Sequence, residues 1–337
     1  MNKTIKIVDV TLRDGMHAIS HRWEPEEMAL IAKKLESANV RYIEFGHGNG
    51  LGGSSFQYGI SSGTDLDYIK AVTKATNKAN LCTITLPGIG TRYHLNMLKE
   101  NGIKMAKFAT QITEADISEQ HIKMACESGL KPVGGLTCAS TISVEDTVYQ
   151  AKLMESYGAE IVYLYDGSGY LLPHQVEERI TALCNSLHVP IGFHAHNNLQ
   201  LAVANTMAAI DSGAEYIDAS LKGFGAGAGN CPTEVLVAVC DRMGIKTGID
   251  LFTIMDIAEN DLKPFMPRPM ELDNDRIMLG YSGVYSSFLL FAQRAGKKYS
   301  VDPREIIKEI GRRKCTEGQE DLCIDVAYDL AKRKTKN

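Results

Sequence analysis

The chain has 337 residues, 44% of them hydrophobic and 23% charged, with a formal net charge of -5. That composition is ordinary for a globular protein and excludes a strongly basic nucleic-acid binder and a low-complexity or disordered chain. At ~150 residues per domain the length fits two domains, or one large barrel with an appendage, and it buries a core without staples.

The elements alternate along the chain. Residues 5–11 are dense in β-branched side chains and read as a strand, and residues 24–35 carry apolar positions at helical spacing. A strand at 40–45 follows. The long glycine-rich stretch at 46–63 then reads as a functional loop, either a lid or an ordered Ω-like loop. A helix at 64–75 has Thr64 as its N-cap. The order continues as strand 81–86, helix 93–101, strand 104–110, helix 114–128, strand 132–137 and helix 144–157. The last pairs are strand 161–165 with helix 173–186, strand 190–194 with helix 199–212, and strand 216–219 with helix 233–243. Gly102, Gly129, Gly158 and Gly213 stand where helices end, the usual place for a left-handed residue. Eight such units match an α/β fold of the (β/α)8 TIM barrel type better than a doubly wound sheet. The first turn of a doubly wound sheet would read G-x-G-x-x-G, and here it reads T-L-R-D-G.

After Gly248 the pattern changes. A helix at 250–260 precedes a linker marked by Pro264, Pro267 and Pro269, and helices follow at 285–295, 303–311 and 321–332. The charge changes as well: 21 basic against 29 acidic residues up to position 260, then 15 against 12. We therefore expect a barrel at 1–260 and a small C-terminal helical domain at 261–337. None of the eight cysteines has C-x-x-C spacing, so free thiols in a reducing cytosol are expected. Residues 1–9 have no apolar signal-peptide core, and no run of ~18 apolar residues exists, so a cytoplasmic protein without a membrane span is expected.

In such a barrel, chemistry sits at the C-terminal ends of the strands. This selects Arg13, Asp14 and His17 after the first strand, Glu44 and His47 after the second and Asp166 after the sixth. It also selects His194 and His196 after the seventh strand and the glycine-rich run 223–230 after the eighth. Residues two apart on a strand point to the same side, so His194 and His196 project into one space. One carboxylate completes a facial metal site with open positions, and Asp14 is the choice, against its simpler reading as a helix N-cap. Arg13 beside a metal suits a substrate carboxylate or keto oxygen, which it meets with parallel donors; the plainer alternative is a rim salt bridge. His17 is the candidate general base. The run G-F-G-A-G-A-G-N at 223–230 either cradles an anion with backbone N–H groups or packs a strand end against a helix.

The motif D-V-T-L-R-D-G at 9–15, with H-A-H at 194–196, resembles the signature of the pyruvate- and acyl-CoA-handling metal-dependent barrels. That superfamily includes 3-hydroxy-3-methylglutaryl-CoA lyase, isopropylmalate synthase and homocitrate synthase. More narrowly, the chain resembles the 4-hydroxy-2-oxovalerate aldolase family, through H-G-N-G-L-G-G-S-S-F-Q-Y-G at 47–59, L-P-G-I-G at 86–90 and L-M-E-S-Y-G-A at 153–159. The match extends to G-A-G-A-G-N at 225–230, G-Y-S-G-V-Y-S-S-F at 280–288 and G-Q-E-D at 318–321, and so covers both segments.

The resemblance implies a divalent metal, typically Mn²⁺ and otherwise Mg²⁺ or Co²⁺, held by Asp14, His194 and His196 with Asn230 in its outer surroundings. It implies that Arg13 stabilises a pyruvate enolate, that His17 is the base, and that Tyr285 from the C-terminal domain lines the site. The implied reaction splits a 4-hydroxy-2-keto acid into pyruvate and an aldehyde such as acetaldehyde, without a Schiff-base lysine, in aromatic hydrocarbon catabolism. The implied partner is an acylating acetaldehyde dehydrogenase in a heterotetramer, to which the aldehyde is channelled. The apolar run 287–292 is then either partner surface or ordinary core. The chain departs from the family at one point. The family's D-S-x-G is Asp166-Gly167-Ser168-Gly169 here, so either Ser168 takes over the substrate contact or the carboxylate is bound differently. The alternatives are an acyl-CoA lyase or condensing enzyme of the same superfamily, a metallohydrolase, which would carry its H-x-H on the first strand, and a non-catalytic scaffold.

Overall fold

The computed structural model describes residues 3–334. Eight parallel strands close into a barrel in chain order. They are β1 (Lys6–Leu12), β2 (Tyr42–Phe45), β3 (Asn80–Thr85), β4 (Met105–Gln111), β5 (Lys131–Thr137), β6 (Ile161–Asp166), β7 (Ile191–Ala195) and β8 (Tyr216–Ala219). A helix follows each: α1 (Pro25–Ser37), α2 (Asp65–Ala75), α3 (Arg92–Glu100), α4 (Glu119–Ser128), α5 (Val144–Tyr157), α6 (Pro173–Ser186), α7 (Ala202–Asp211) and α8 (Thr233–Arg242).

The two-residue period of a strand decides which side chains fill the barrel. On β6, Ile161, Tyr163 and Tyr165 point inward and pack with Val8, Val10 and Val133, while Val162 and Leu164 join the outer core under the helices. The interior is therefore packed rather than hollow, and a site can form only at its ends. Local signals behave as their chemistry requires. Thr64 caps α2 by accepting from Asp67 N at 3.2 Å, and α4 and α5 stop at Gly129 and Gly158 in the left-handed conformation.

Three elements differ from the sequence expectation. The helix expected at 114–128 is broken, because the Ala115 N–H donates to Gln150 Oε1 and Ser118 Oγ bonds back to Ala115 O, leaving a 3₁₀ turn before α4. The helix expected at 250–260 is α9 (Leu251–Asp256), which widens into a π-helical turn at Ile257–Leu262 just before Pro264. An unexpected helix, α10 (Asn274–Ser282), follows the prolines, capped by Asp273 accepting from Arg276 N at 2.9 Å. Only Leu279 and Gly280 of its nine residues are buried, too few to leave a periodic signal.

The helices α11 (Phe288–Tyr299), α12 (Pro303–Arg312) and α13 (Leu322–Lys334) complete the C-terminal bundle. Its own core holds Leu279, Phe288, Ala292, Ile306, Ile310 and Val326. Tyr285 lies in the turn between α10 and α11, not in a helix. The bundle meets the C-terminal rim of the barrel, where Arg276 Nε donates to Gly227 O at 3.0 Å. The run 287–292 is both core and surface: Phe288 and Ala292 are buried, while Leu290 and Phe291 are 49% and 42% exposed. The eight cysteines are free thiols. Among the described residues no helix is long and apolar enough to cross a membrane.

Candidate active site

The barrel brings Arg13, Asp14, His17, His194, His196 and Tyr285 onto the wall of one cavity of ≈ 50 Å³ at the C-terminal ends of the strands. A larger hollow near Asn77, Asn101 and Lys104 lies at the opposite end of the barrel, away from these groups.

Asp14 opens the 3₁₀ turn that ends β1. Its Oδ1 accepts from Arg13 Nη1 at 2.6 Å, and its Oδ2 accepts from Asn230 Nδ2 at 2.7 Å and Ala226 N at 3.2 Å. A Cβ on Gly225 would sit 2.4 Å from Asp14 Oδ2, so the glycine-rich run is there for close approach. Its amides at Ala226 and Ala228 are already given to Asp14 and to Asn198 Oδ1, which answers the anion-cradle alternative. Burial alone would raise the Asp14 carboxyl, but Arg13 and then the nearby imidazoles outweigh it and hold it well below the usual range.

One ligand atom each from Asp14, His194 and His196 lie within 4.8 Å of one another, all three residues buried. His194 Nδ1 is 3.1 Å from Asp218 Oδ2. A carboxylate only accepts, so Nδ1 carries the proton and Nε2 is left with its lone pair for a ligand. His196 Nδ1 is buried with no hydrogen-bond partner. An orphaned imidazole nitrogen is costly unless something binds it, and a divalent cation among two imidazoles and a carboxylate fits that space.

Behind these groups runs a buried chain of charges that the sequence reading did not assemble. Arg13 Nε donates to Glu44 Oε1 at 2.5 Å. Lys107 Nζ lies 2.6 Å from Glu44 Oε2 and donates to both oxygens of Asp218 at 2.8 and 2.9 Å. Asp218 then orients His194. Burial would lower the Lys107 ammonium, but Asp218 and Glu44 hold it well above the ordinary lysine value. A lone charge in each of two buried strands, Lys in M-A-K-F-A-T-Q and Asp in Y-I-D-A, was the available signal. Only the closed barrel shows that the two meet.

His17 sits on the 3₁₀ turn, edge-on to His21 at a centroid distance of 5.1 Å, and His21 stacks on His47 at 3.9 Å. His47 is itself fixed, accepting from Asn49 N at 3.1 Å and bonding Gly59 O at 3.1 Å. The stretch 46–63 is thus an ordered loop, and His47 serves as a prop rather than a ligand. Burial lowers His17 to about 4, against the pull of Asp14, so at neutral pH it is an uncharged acceptor.

Tyr285 reaches in from the helical bundle. Burial raises its hydroxyl well above the usual value, as do Glu317 and Asp14, so it stays protonated. Its ring lies over Gly167, where a Cβ would come within 2.9 Å of Cε2. Gly167 lines the cavity and Ser168 does not; the Ser168 carbonyl accepts from Asn198 Nδ2 at 3.0 Å. Asp166 turns away from the cavity and holds the following loop by accepting from Tyr170 N and Leu171 N. Sequence reasoning also passed over Tyr165, whose hydroxyl is buried on the cavity wall without a partner, and Glu317.

Comparison with known proteins identifies the family and the fold. Residues 4–260 match the HMGL-like family model, and residues 270–332 match that of the DmpG-like communication domain. A 4-hydroxy-2-oxovalerate aldolase from Desulfitobacterium hafniense is 63% identical over 98% of this chain and 100% of its own length. One from Geobacillus thermodenitrificans is 52% identical over 99% and 97%. Among solved structures, the carboxyl transferase domain of Rhizobium etli pyruvate carboxylase shares the fold, with a TM-score of 0.80 at 15% identity, over 99% of this chain and 61% of that one.

Proposed function

The chain belongs to the 4-hydroxy-2-oxovalerate aldolase family, and on that premise we propose how its residues cleave a 4-hydroxy-2-keto acid such as 4-hydroxy-2-oxovalerate to pyruvate and acetaldehyde. The observation that carries this reading is the convergence of three buried ligand atoms beside a buried guanidinium and a neutral imidazole in one cavity. Asp14, His194 and His196 would hold a divalent metal, Mn²⁺ in our reading or else Mg²⁺ or Co²⁺. When bound, that ion supplies positive charge for the carboxylate and keto oxygens of the substrate.

His17 takes the proton of the C4 hydroxyl. The electron pair of the C3–C4 bond then moves toward the C2 oxygen, the aldehyde separates, and a pyruvate enolate remains. Arg13, pinned by Glu44 and Asp14, is already oriented and donates to the oxygen on which charge develops. Tyr285 closes the cavity with a protonated hydroxyl as a further donor. Return of a proton to C3 completes pyruvate. Gly167 and Tyr285, rather than Ser168, face the substrate in this reading, with Asn230 positioning Asp14.

We divide the chain into a catalytic barrel at 1–260 and a helical domain at 261–337 that supplies Tyr285 and meets a partner. The match to the communication domain and the exposed Leu290 and Phe291 of α11 support docking of an acylating acetaldehyde dehydrogenase as a heterotetramer. Aldehyde channelling, a role in aromatic hydrocarbon catabolism and a cytoplasmic location complete the reading. Release of pyruvate from 4-hydroxy-2-oxovalerate, followed in the presence and absence of a chelator, tests the reaction. Co-expression with the dehydrogenase and measurement of the mass of the purified complex tests the assembly.

A further inference from the structure

Two carboxylates of the helical domain, Glu317 and Glu320, border the space above the metal site, and they are treated differently by the fold. Glu320 is satisfied: Ser287 Oγ donates to it at 2.6 Å and Gly318 N at 3.0 Å. Glu317 is half-buried and has neither a hydrogen-bond donor nor a cation among the described residues; burial and the like charge of Glu320 act on it. A carboxylate so placed is free to accept from a donor on a ligand that enters the cavity.

Its position says which part of a ligand it would meet. Arg13 and the Asp14–His194–His196 cluster line the inner cavity and not the outer one, so the keto-acid end of a substrate belongs in the inner cavity. His17 must reach the C4 oxygen, and whatever C4 carries extends past His17. The residues His17, Asn49, Tyr285 and Glu317 line both the inner cavity and an outer one of ≈ 460 Å³. The substituent that leaves as the aldehyde therefore points at Glu317. Ile84 and Leu86 give the inner cavity an apolar side, which suits a short carbon chain, so one polar contact at the tip of that chain would decide between substituents.

We propose that Glu317 is a specificity-determining residue that accepts a hydrogen bond from a hydroxyl on the aldehyde fragment, so that the site favours hydroxylated short aldehydes over purely aliphatic ones of the same length. The inference rests on the aldolase reading above. Burial, followed by the charge of Glu320, pushes the Glu317 carboxyl up to about 7, so it can meet a hydroxyl as an acceptor or, when protonated, as a donor. An ethyl group in the same place leaves it unpaired, and sites built around a polar contact discriminate strongly against partners that lack it.

The test is the aldol addition of pyruvate to acetaldehyde, glycolaldehyde and propanal, with kcat/KM measured for the unmodified protein and for Glu317→Gln and Glu317→Ala. Glycolaldehyde and propanal have the same number of heavy atoms, so their ratio isolates the hydroxyl. The expected ratio is roughly tenfold or more in favour of glycolaldehyde, reduced in Glu317→Gln and lost or inverted in Glu317→Ala. A purely structural role would lower both aldehydes alike and leave the ratio unchanged, which overturns the proposal. So does a preference for propanal in the unmodified protein. If acetaldehyde turns over and the hydroxyl preference is absent, the specificity claim alone falls. If no aldehyde adds to pyruvate, the aldolase reading falls and this inference with it.

Discussion

At the metal end of the cavity Asp14 is held by Arg13, Ala226 and Asn230, Arg13 by Glu44, and the His194 ring by Asp218. Lys107 ties the last two carboxylates together. Around Glu317, where we place the aldehyde fragment, no such support is found among the described residues, and Tyr285 stands in a turn rather than on a strand or helix. The contrast separates two jobs. Stabilising an oxyanion requires charges that do not reorganise, which buried ion pairs on barrel strands provide. Choosing among aldehydes requires only a few adaptable contacts, which turns of a neighbouring domain can supply and vary.

That comparison breaks most visibly at the ligands. Asp14→Ala and His196→Ala should each abolish stoichiometric Mn²⁺ binding in a calorimetric titration and bring pyruvate release down to background. Next comes His17→Ala, expected to lower kcat by about 10²–10⁴-fold while metal binding persists, the usual worth of a general base. Lys107→Met leaves Asp218 buried without its lysine and Glu44 with Arg13 alone. It should weaken metal binding by about 10–100-fold and destabilise the fold by about 3–5 kcal/mol, read by titration and by denaturant unfolding. At the other end, Gly167→Ala pushes a methyl into the Tyr285 ring; the ring can swing aside, so a loss in kcat/KM of about tenfold is expected, with metal affinity kept.

The smallest expected effect is a flat pH profile. Burial lowers His17 to about 4, so its basic form persists as pH falls through the ordinary histidine range. The limb of kcat/KM that reports this base should stay level from pH ~8 to ~5 and drop only as pH approaches 4. A drop centred near ~6.5 would mean that the base is exposed and ordinary.

The barrel was legible because its strands, its capping glycines and the H-A-H pair carry their meaning locally. Asp14, His194 and His196 could be chosen from strand ends alone, since the fold fixes the rim to which such residues point. The support behind them was not legible. Lys107 and Asp218 are 111 positions apart and meet only across the closed barrel. Tyr285 came to notice through family resemblance, and α10 was missed, because a short helix with two buried residues leaves no period. Glu317 reads as one more surface charge in R-R-K-C-T-E-G-Q-E-D until the bundle is seated on the rim.

The most direct test strips the protein of metal and follows pyruvate released from 4-hydroxy-2-oxovalerate as Mn²⁺ is added back. The account predicts activity that rises with the ion and saturates at one per chain, with Asp14→Ala remaining inactive throughout. Undiminished turnover by the stripped protein, or no pyruvate at any metal loading, would contradict it.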